Sequence, residues 1–246
     1  TYDTYMLAIG NGAALAKAGG DTWFFLTADY AFGHALERDA GEAAKAAGAK
    51  ILGAVRHPLN TSDFSSFLLQ AQNSKAKIIG LANAGGDTIN SIKQAAEFGI
   101  IAGGQRLAGL LVFVTDVHAL GLKTAQGLVV TESFYWDQND ETRKFAKRFF
   151  DKMGKQPSMV QAGVYSGVSH YLKAVKAAGT DDPDKVAAKM RELKVNDFMT
   201  KDAEIRVDGR IMRPGYLFQV KTPAESKGPW DYYKQIAVIP ADQAAR

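Results

Sequence analysis

The chain has 246 residues, enough for one large α/β domain or two modest ones. Its composition, 46% hydrophobic and 23% charged, is typical of a globular protein, and the net charge of +4 comes from scattered Lys and Arg residues, which argues against a nucleic-acid interface. Cysteine is absent, which excludes disulfides, thiol catalysis and cysteine-ligated metals and suits an oxidising compartment.

Short apolar segments alternate with helix-like segments over the first 130 residues. The predicted strands are apolar runs, at 22–27, 50–55, 77–82, 107–113 and 127–131. The predicted helices lie at 33–47, from Ser62 or Asp63 onward, and at 88–98. Strands alternating with helices form a parallel sheet through right-handed crossovers, and continuous apolar strands indicate helices on both faces. The sequence therefore predicts an α/β fold with a parallel, doubly wound sheet.

The pattern changes after residue 131. Long amphipathic helices are predicted at 140–153 and 157–178, and Pro183 opens a third. Strand-like pieces follow at 204–207, 216–220 and 234–239. We therefore expect two subregions, a complete α/β lobe and part of a second lobe. The first is assigned to 1–131 with 223–246 returning to it, and the second to 132–222.

Several motifs of catalytic and cofactor sites are missing. The segment GNGAAL at 10–15 resembles a dinucleotide fingerprint, but Leu15 replaces the third glycine, so we interpret it as a helix with a glycine-rich start. The sequence has no P-loop and no nucleophile-elbow serine, and its four histidines lack metal-site spacing. No nucleophile stands beside a base. The sequence therefore favours a binding protein over an enzyme, without cofactor or metal.

Three loops follow predicted strands at the edge where an open parallel sheet binds ligands. The first, ADYAF, carries Tyr30, and the second, NAGGDT, offers free backbone N–H groups for a carboxylate at a helix start. The third, TDVHA, carries Thr115 and Asp116, which can accept hydrogen bonds from an amine or a hydroxyl. Structural alternatives stay open: Tyr30 as a cover for the core, and Asp87 and Asp116 as helix caps.

Several segments carry a family resemblance. They are DYAFG at 29–33, HPLNTSDFS at 57–65, AAEFG at 95–99, FYWDQND at 134–140 and the helix that begins QPSMVQAG at 156. With these segments the chain resembles, over nearly its whole length, the type I periplasmic solute-binding proteins of ABC transporters, in particular the leucine/isoleucine/valine-binding group.

The resemblance implies a fold and a set of ligand contacts. The fold is two α/β lobes joined by three crossover strands that close on a small ligand without catalysis. Contacts are implied for Tyr30, for Asn83, Ala84 and Gly85, and for Asp116, which would hold the ligand's amine. The expected ligand is an amino acid or an aromatic carboxylate. The aromatic residues expected to line the cleft or to stack on such a ligand are Tyr30, Phe32, Tyr135 and Trp136.

The resemblance also implies a periplasmic location, ABC permease subunits as partners and no nucleic-acid partner. Family members are usually longer, and the match implies that the first half of the N-terminal lobe is missing. Helices within 140–194 would then expose apolar faces. We therefore expect weak ligand binding, together with oligomerisation through the uncovered half-lobe or an origin as a proteolysed remnant. Two alternatives stay open, the sensor domain of a receptor or regulator and an α/β enzyme that uses the same crevice.

Overall fold

The computed structural model describes residues 1–246, which form two compact units. The sheet unit comprises Tyr2–Glu132 and Tyr216–Ile239, and the helical unit comprises Thr1, Ser133–Gly215 and Pro240–Arg246. These bounds differ from the expected ones, since residues 216–222 belong to the sheet unit and residues 240–246 do not. The reason is strand pairing, because the segment from 216 adds to the sheet rather than to the later helices.

One seven-stranded sheet forms the sheet unit, in the order β2-β1-β3-β4-β5-β6-β7. The strands are β1 (Thr22–Ala28), β2 (Lys50–His57), β3 (Ile78–Ala82), β4 (Arg106–Gly109), β5 (Val129–Glu132), β6 (Gly215–Val220) and β7 (Tyr233–Ile239). Strands β1 to β5 pair in parallel, and β6 pairs with β5 antiparallel. The predicted α/β fold with a parallel sheet is confirmed, with an antiparallel strand added beside β5.

The sheet unit has six helices, of which the first precedes β1 and the others connect strands along the chain. They are α1 (Thr4–Lys17), α2 (Ala31–Ala46), α3 (Ser65–Asn73), α4 (Gly85–Glu97), α5 (Val114–Leu120) and α6 (Leu122–Ala125). The central strands are buried along almost their whole length, with the side chains of Trp23, Phe25, Ile78 and Ile79 in the core. Removal of these apolar side chains from water is the main force that holds helices to sheet.

The glycines of GNGAAL lie inside α1 rather than at its start. A Cβ at Gly10 would lie 2.5 Å from the Oγ1 atom of Thr131, and one at Gly12 would lie 2.9 Å from the Cβ atom of Ala43. The helix therefore needs glycine to approach β5 and α2 closely. The helix starts earlier, where Asp3 caps it by accepting a hydrogen bond from the backbone N–H of Met6 at 2.8 Å.

The segment VTDVHAL, which contains the predicted loop TDVHA, forms helix α5. The carboxylate of Asp116 in its first turn accepts a hydrogen bond at 2.8 Å from the backbone N–H of Phe113, the residue that precedes the helix. This contact satisfies a backbone donor at the helix start, and Gly121, with a φ of 77°, ends the helix. Strand β4 ends at Gly109, four residues before the predicted strand end.

Three helices make up most of the helical unit, namely α7 (Asp140–Met153), α8 (Met159–Ala178) and α9 (Pro183–Glu192). Their starts are capped by Asn139, Ser158 and Asp182. The predicted strand at 204–207 is reduced to an isolated bridge between Ile205 and Ile211. An apolar groove of about 620 Å³ runs along α7 and α8, and exposed hydrophobic side chains on α8 include Val164, Tyr165, Val168 and Leu172. No helix combines the length and the apolarity required to cross a membrane.

Candidate ligand site at the carboxyl edge of the sheet

Strands β1, β3, β4 and β5 are neighbours and run parallel, so their carboxyl ends share one edge of the sheet. We call this the carboxyl edge. The chain leaves it through the starts of α2, α4 and α5. In open α/β sheets this edge is where ligands bind, because loops and helix N-termini converge there.

Tyr30 stands at the carboxyl end of β1 and precedes α2 as its N-cap residue. Its side chain gives no capping hydrogen bond, the residue is 38% exposed, and its ring lies 5.8 Å from the half-buried ring of Phe32. Partial burial, followed by the nearby Asp87 carboxylate, raises the pKa of Tyr30. The Tyr30 hydroxyl therefore stays protonated and can donate a hydrogen bond at this edge.

Asn83, predicted as a ligand contact, is fully buried and uses its amide inside the protein. Its Nδ2 lies 3.2 Å from Nε2 of His57, and its Oδ1 accepts a hydrogen bond from the hydroxyl of Thr88 at 2.7 Å. Nδ1 of His57 lies 2.8 Å from the carbonyl oxygen of Pro58, so the imidazole donates there and accepts from Asn83. This chain of bonds joins the end of β2 to the start of α4, and the Asn83 side chain is not exposed to a ligand in this structure.

Helix α4 begins with an open N-terminus. Its N-cap residue, Ala84, gives no capping bond, and Gly85 has a φ of 57°. No heavy atom lies within 4 Å of the position that a Cβ would take at Gly85 or Gly86, so space lies open in front of this backbone. The buried Asp87 accepts a hydrogen bond at 3.2 Å from the backbone N–H of Asn60 and is not the N-cap. The open N–H groups suit a carboxylate.

Thr115 and Asp116 occupy the first turn of α5. Thr115 is half-buried, and Asp116 is 8% exposed. Burial raises the pKa of Asp116 to about 6, although the hydrogen bond from the N–H of Phe113 opposes the shift. Asp116 therefore acts as a helix cap, which was one of its two predicted roles beside that of a ligand contact. Its second carboxylate oxygen is not used in the cap.

Glu132 is a functional candidate that sequence reasoning missed. It ends β5 at the carboxyl edge and is 1% exposed. Its Oε1 lies 3.4 Å from the hydroxyl of Tyr233, and its Oε2 has no hydrogen-bond partner. Burial and then the Asp116 carboxylate raise the pKa of Glu132 well above its usual range. The sequence signal that could have identified Glu132 is a single carboxylate at the end of the apolar run GLVVTE.

Tyr2 joins this group from the segment before α1. Its ring lies 6.2 Å from the ring of Phe113. Burial, then the Glu132 carboxylate and then Tyr30, raises the pKa of the Tyr2 hydroxyl. Residues distant in sequence thus interact electrostatically along the edge, and they combine carboxyl groups and phenol hydroxyls with an open helix N-terminus.

Tyr135 and Trp136 belong to the helical unit. Tyr135 is buried and Trp136 is half-buried, with ring centroids 5.8 Å apart. The backbone N–H of Tyr135 donates a hydrogen bond to Oε1 of Gln138 at 2.8 Å. Their predicted role in lining a cleft stays a prediction.

Comparison with known proteins places the chain in a family. A family model described as periplasmic binding protein matches residues 1–229. The chain belongs to the periplasmic binding protein family. The resemblance seen in the sequence is therefore confirmed.

Solved periplasmic binding proteins are similar to the chain over its whole length. One from Burkholderia mallei is 59% identical, covers 100% of the chain and superposes with a TM-score of 0.96. A branched chain amino acid ABC transporter periplasmic ligand-binding protein from Burkholderia xenovorans LB400 is 42% identical, covers 99% and has a TM-score of 0.87. The chain spans 65% of each of these two solved chains.

A curated relative is the Leu/Ile/Val-binding protein homolog 6 of Brucella melitensis biotype 1. It is 28% identical over 160 residues, which is 63% of this chain and 41% of the relative. Within the periplasmic binding protein family, the chain thus resembles proteins that are named for branched-chain amino acids and that extend well beyond the matched part.

Proposed function

We propose that the chain forms part of the ligand site of the periplasmic solute-binding component of an ABC importer, and that it binds a small amino acid or another carboxylate-bearing ligand without catalysis. The observation that carries this proposal is the open start of α4 at Gly85 and Gly86, which shares the carboxyl edge with the exposed ring of Tyr30. A periplasmic location and docking to ABC permease subunits are parts of the same proposal.

A carboxylate suits the start of α4 for two reasons. The first backbone N–H groups of a helix carry a partial positive charge and need an acceptor, and no side chain caps this helix. The absence of a Cβ at Gly85 and Gly86 lets a ligand approach the backbone closely. Tyr30 then offers a ring face and a hydroxyl donor to the rest of the ligand.

The names of the relatives and the carboxyl groups at the edge support a choice of the first ligands to test. The Burkholderia xenovorans relative is named for branched chain amino acids, and the Brucella relative for leucine, isoleucine and valine. Asp116 and Glu132 place two carboxyl groups at the same edge, and an ionised carboxylate there would attract a ligand that also carries a positive charge. Leucine, isoleucine and valine are therefore the first ligands to test, with benzoate and 4-hydroxybenzoate as aromatic carboxylates without an amine.

The binding test uses isothermal titration of the full gene product with each of these compounds. We expect an amino acid to bind, and Tyr30→Ala to weaken binding about tenfold or more, equivalent to ~1.4 kcal/mol. Tyr171→Ala is the matched control, because Tyr171 on α8 is 43% exposed, close to the 38% of Tyr30. If Tyr30→Ala binds like the wild type while Tyr171→Ala does not, the site is wrongly placed.

Two further measurements separate the importer from the alternatives. Mass spectrometry of the bound compound after recovery distinguishes binding from turnover, and a changed compound would support the enzyme alternative. Uptake of the labelled compound by cells with and without the gene distinguishes an importer from a sensor, because only loss of an importer component abolishes uptake.

A further inference from the structure

A turn of three small residues, Ala84, Gly85 and Gly86, leads from β3 into α4 at the carboxyl edge. Gly85 has a φ of 57°, no side chain caps the helix, and no heavy atom lies within 4 Å of the Cβ position at either glycine. Glycine backbone has wide conformational freedom, so a turn of this composition does not hold its own shape. Its shape must come from contacts on its two flanks.

The two flanks of the turn are bonded to each other. Asn83 and Thr88 are fully buried, and the Thr88 hydroxyl donates a hydrogen bond at 2.7 Å to Oδ1 of Asn83, which bridges the turn. On the helix side, the buried carboxylate of Asp87 accepts a hydrogen bond at 3.2 Å from the backbone N–H of Asn60. Buried side chains therefore fix both ends of the turn.

His57 determines which way the Asn83 amide faces. The residue is fully buried, and its ring centroid lies 4.8 Å from that of Phe64 and 6.0 Å from that of Phe67. Nδ1 lies 2.8 Å from the carbonyl oxygen of Pro58, which can only accept, so Nδ1 carries the proton and Nε2 of the neutral ring is an acceptor. Nδ2 of Asn83, 3.2 Å from Nε2, therefore donates to it, which leaves Oδ1 for the bond across the turn.

We propose that His57 is a positioning residue of the ligand site, which acts through Asn83 to hold the turn at Ala84–Gly86 in the shape that receives the ligand. A turn that is already held loses less conformational entropy when a ligand binds, and the difference contributes to affinity. His57 thus strengthens binding from a buried position at the end of β2, without touching the ligand. This inference rests on the proposed function, since the turn is the one proposed to bind the ligand's carboxylate.

Two substitutions separate the bond to Asn83 from the packing of the ring. His57→Gln brings its amide oxygen near the position of Nε2, where it can accept from Asn83. His57→Asn reaches only the position of Nδ1, so it can donate to the carbonyl of Pro58 but cannot accept from Asn83. Both variants remove the ring from its contacts with the two phenylalanines, so they share the loss of packing.

The test is isothermal titration of the full gene product with L-leucine and with benzoate, at a temperature at which urea denaturation shows each variant to be folded. We expect His57→Asn to bind at least about fivefold more weakly than the wild type, and His57→Gln to stay within about twofold. Hydrogen exchange of the amides of residues 88–91, which bond to carbonyls of the turn and of the first helical residues, should be faster in His57→Asn than in His57→Gln. A purely structural role of His57 would lower the stability of both variants without separating their affinities.

Should His57→Asn fail to fold by circular dichroism, Thr88→Val takes its place, with Thr88→Ser as its control. Serine keeps the hydroxyl that bonds to Asn83, and valine does not. Equal affinities within the folded pair would overturn the proposal and leave the proposed function standing. Failure of the wild type to bind either compound would contradict both.

Discussion

The imidazole of His118 lies flat against the indole of Trp230, with ring centroids 3.9 Å apart and ring planes 4° apart. Nδ1 of His118 also lies 2.7 Å from the hydroxyl of Tyr232. Through these contacts the segment before β7 packs against the last turn of α5, the helix that carries Asp116. Trp230 has a φ of 71°, which is unfavourable for a bulky residue, so the contacts must stabilise it there.

His118→Ala removes the stack and the bond to Tyr232, so we expect it to lower the free energy of unfolding by about 1–2 kcal/mol. The control is His34→Ala, since His34 forms an exposed pair with Asp29 at 2.7 Å that should contribute less than about 0.5 kcal/mol. Urea denaturation of both variants measures the difference. Equal urea midpoints for the two variants would mean that the stack of His118 on Trp230 does not stabilise this segment.

Asn83→Ala should act on stability rather than on ligand contact. It leaves buried Nε2 of His57 and the buried hydroxyl of Thr88 without their partner, and we expect a loss of about 2–3 kcal/mol in the free energy of unfolding. Asn90→Ala, on the following helix α4, is the control, because its amide makes one long bond of 3.4 Å to the carbonyl of Thr61. Urea denaturation and ligand titration are measured together. A large loss of affinity with unchanged stability would restore Asn83 as a ligand contact.

Asp116→Asn should stabilise the protein in a pH-dependent way. The pKa of Asp116 is raised to about 6 in the folded protein from 3.8, so the folded state binds this proton more tightly than the unfolded state. The resulting stabilisation is complete below pH 3.8 and is lost as the pH rises through about 6. At pH 7.5 the variant should therefore be more stable by up to roughly 3 kcal/mol, and at pH 3.5 no difference should remain.

Thermal unfolding from pH 3.5 to 8 checks this expectation, with Asp181→Asn as the control at an exposed carboxylate. Asparagine can still accept the hydrogen bond from the backbone N–H of Phe113, so the measured difference in stability does not include loss of the helix cap. A constant difference between wild type and Asp116→Asn across the pH range would rule out burial of the charge as the cause.

Two glycines at the carboxyl edge should respond oppositely to alanine. A Cβ at Gly33 would lie 2.0 Å from the backbone oxygen of Ala28, so Gly33→Ala must displace the turn between β1 and α2, and we expect a loss of at least about 2 kcal/mol. Gly86 has open space and lies in a helix, so Gly86→Ala should be neutral or stabilising by up to about 1 kcal/mol.

Ligand titration adds a second readout for this pair. The methyl group of Gly86→Ala occupies the space in front of the α4 backbone, so affinity should fall although stability does not. Unchanged affinity in Gly86→Ala would indicate that the ligand's carboxylate binds elsewhere.

The amino-acid sequence by itself determined the fold class and the edge of the sheet at which we propose the site. Alternating apolar strands and helices have only a few ways to bury their apolar faces, and a parallel sheet with helices on both sides is the one that this pattern favours. The order of elements then places the turns at Tyr30 and at Ala84–Gly86 on one edge. Local patterns carry this information because they repeat every two or 3.6 residues along the chain.

Only the tertiary structure decided which side chains at that edge are turned into the protein and which are exposed. Asn83 is turned inward by His57, 26 residues away, and Glu132 lies beside Tyr233, 101 residues away. At the start of α5 the carboxylate of Asp116 folds back onto the N–H of Phe113, and the glycines of α1 are needed for contacts with β5 and α2. Burial and the pKa of a carboxyl group depend on neighbours that are distant in sequence, and no local pattern along the chain encodes them.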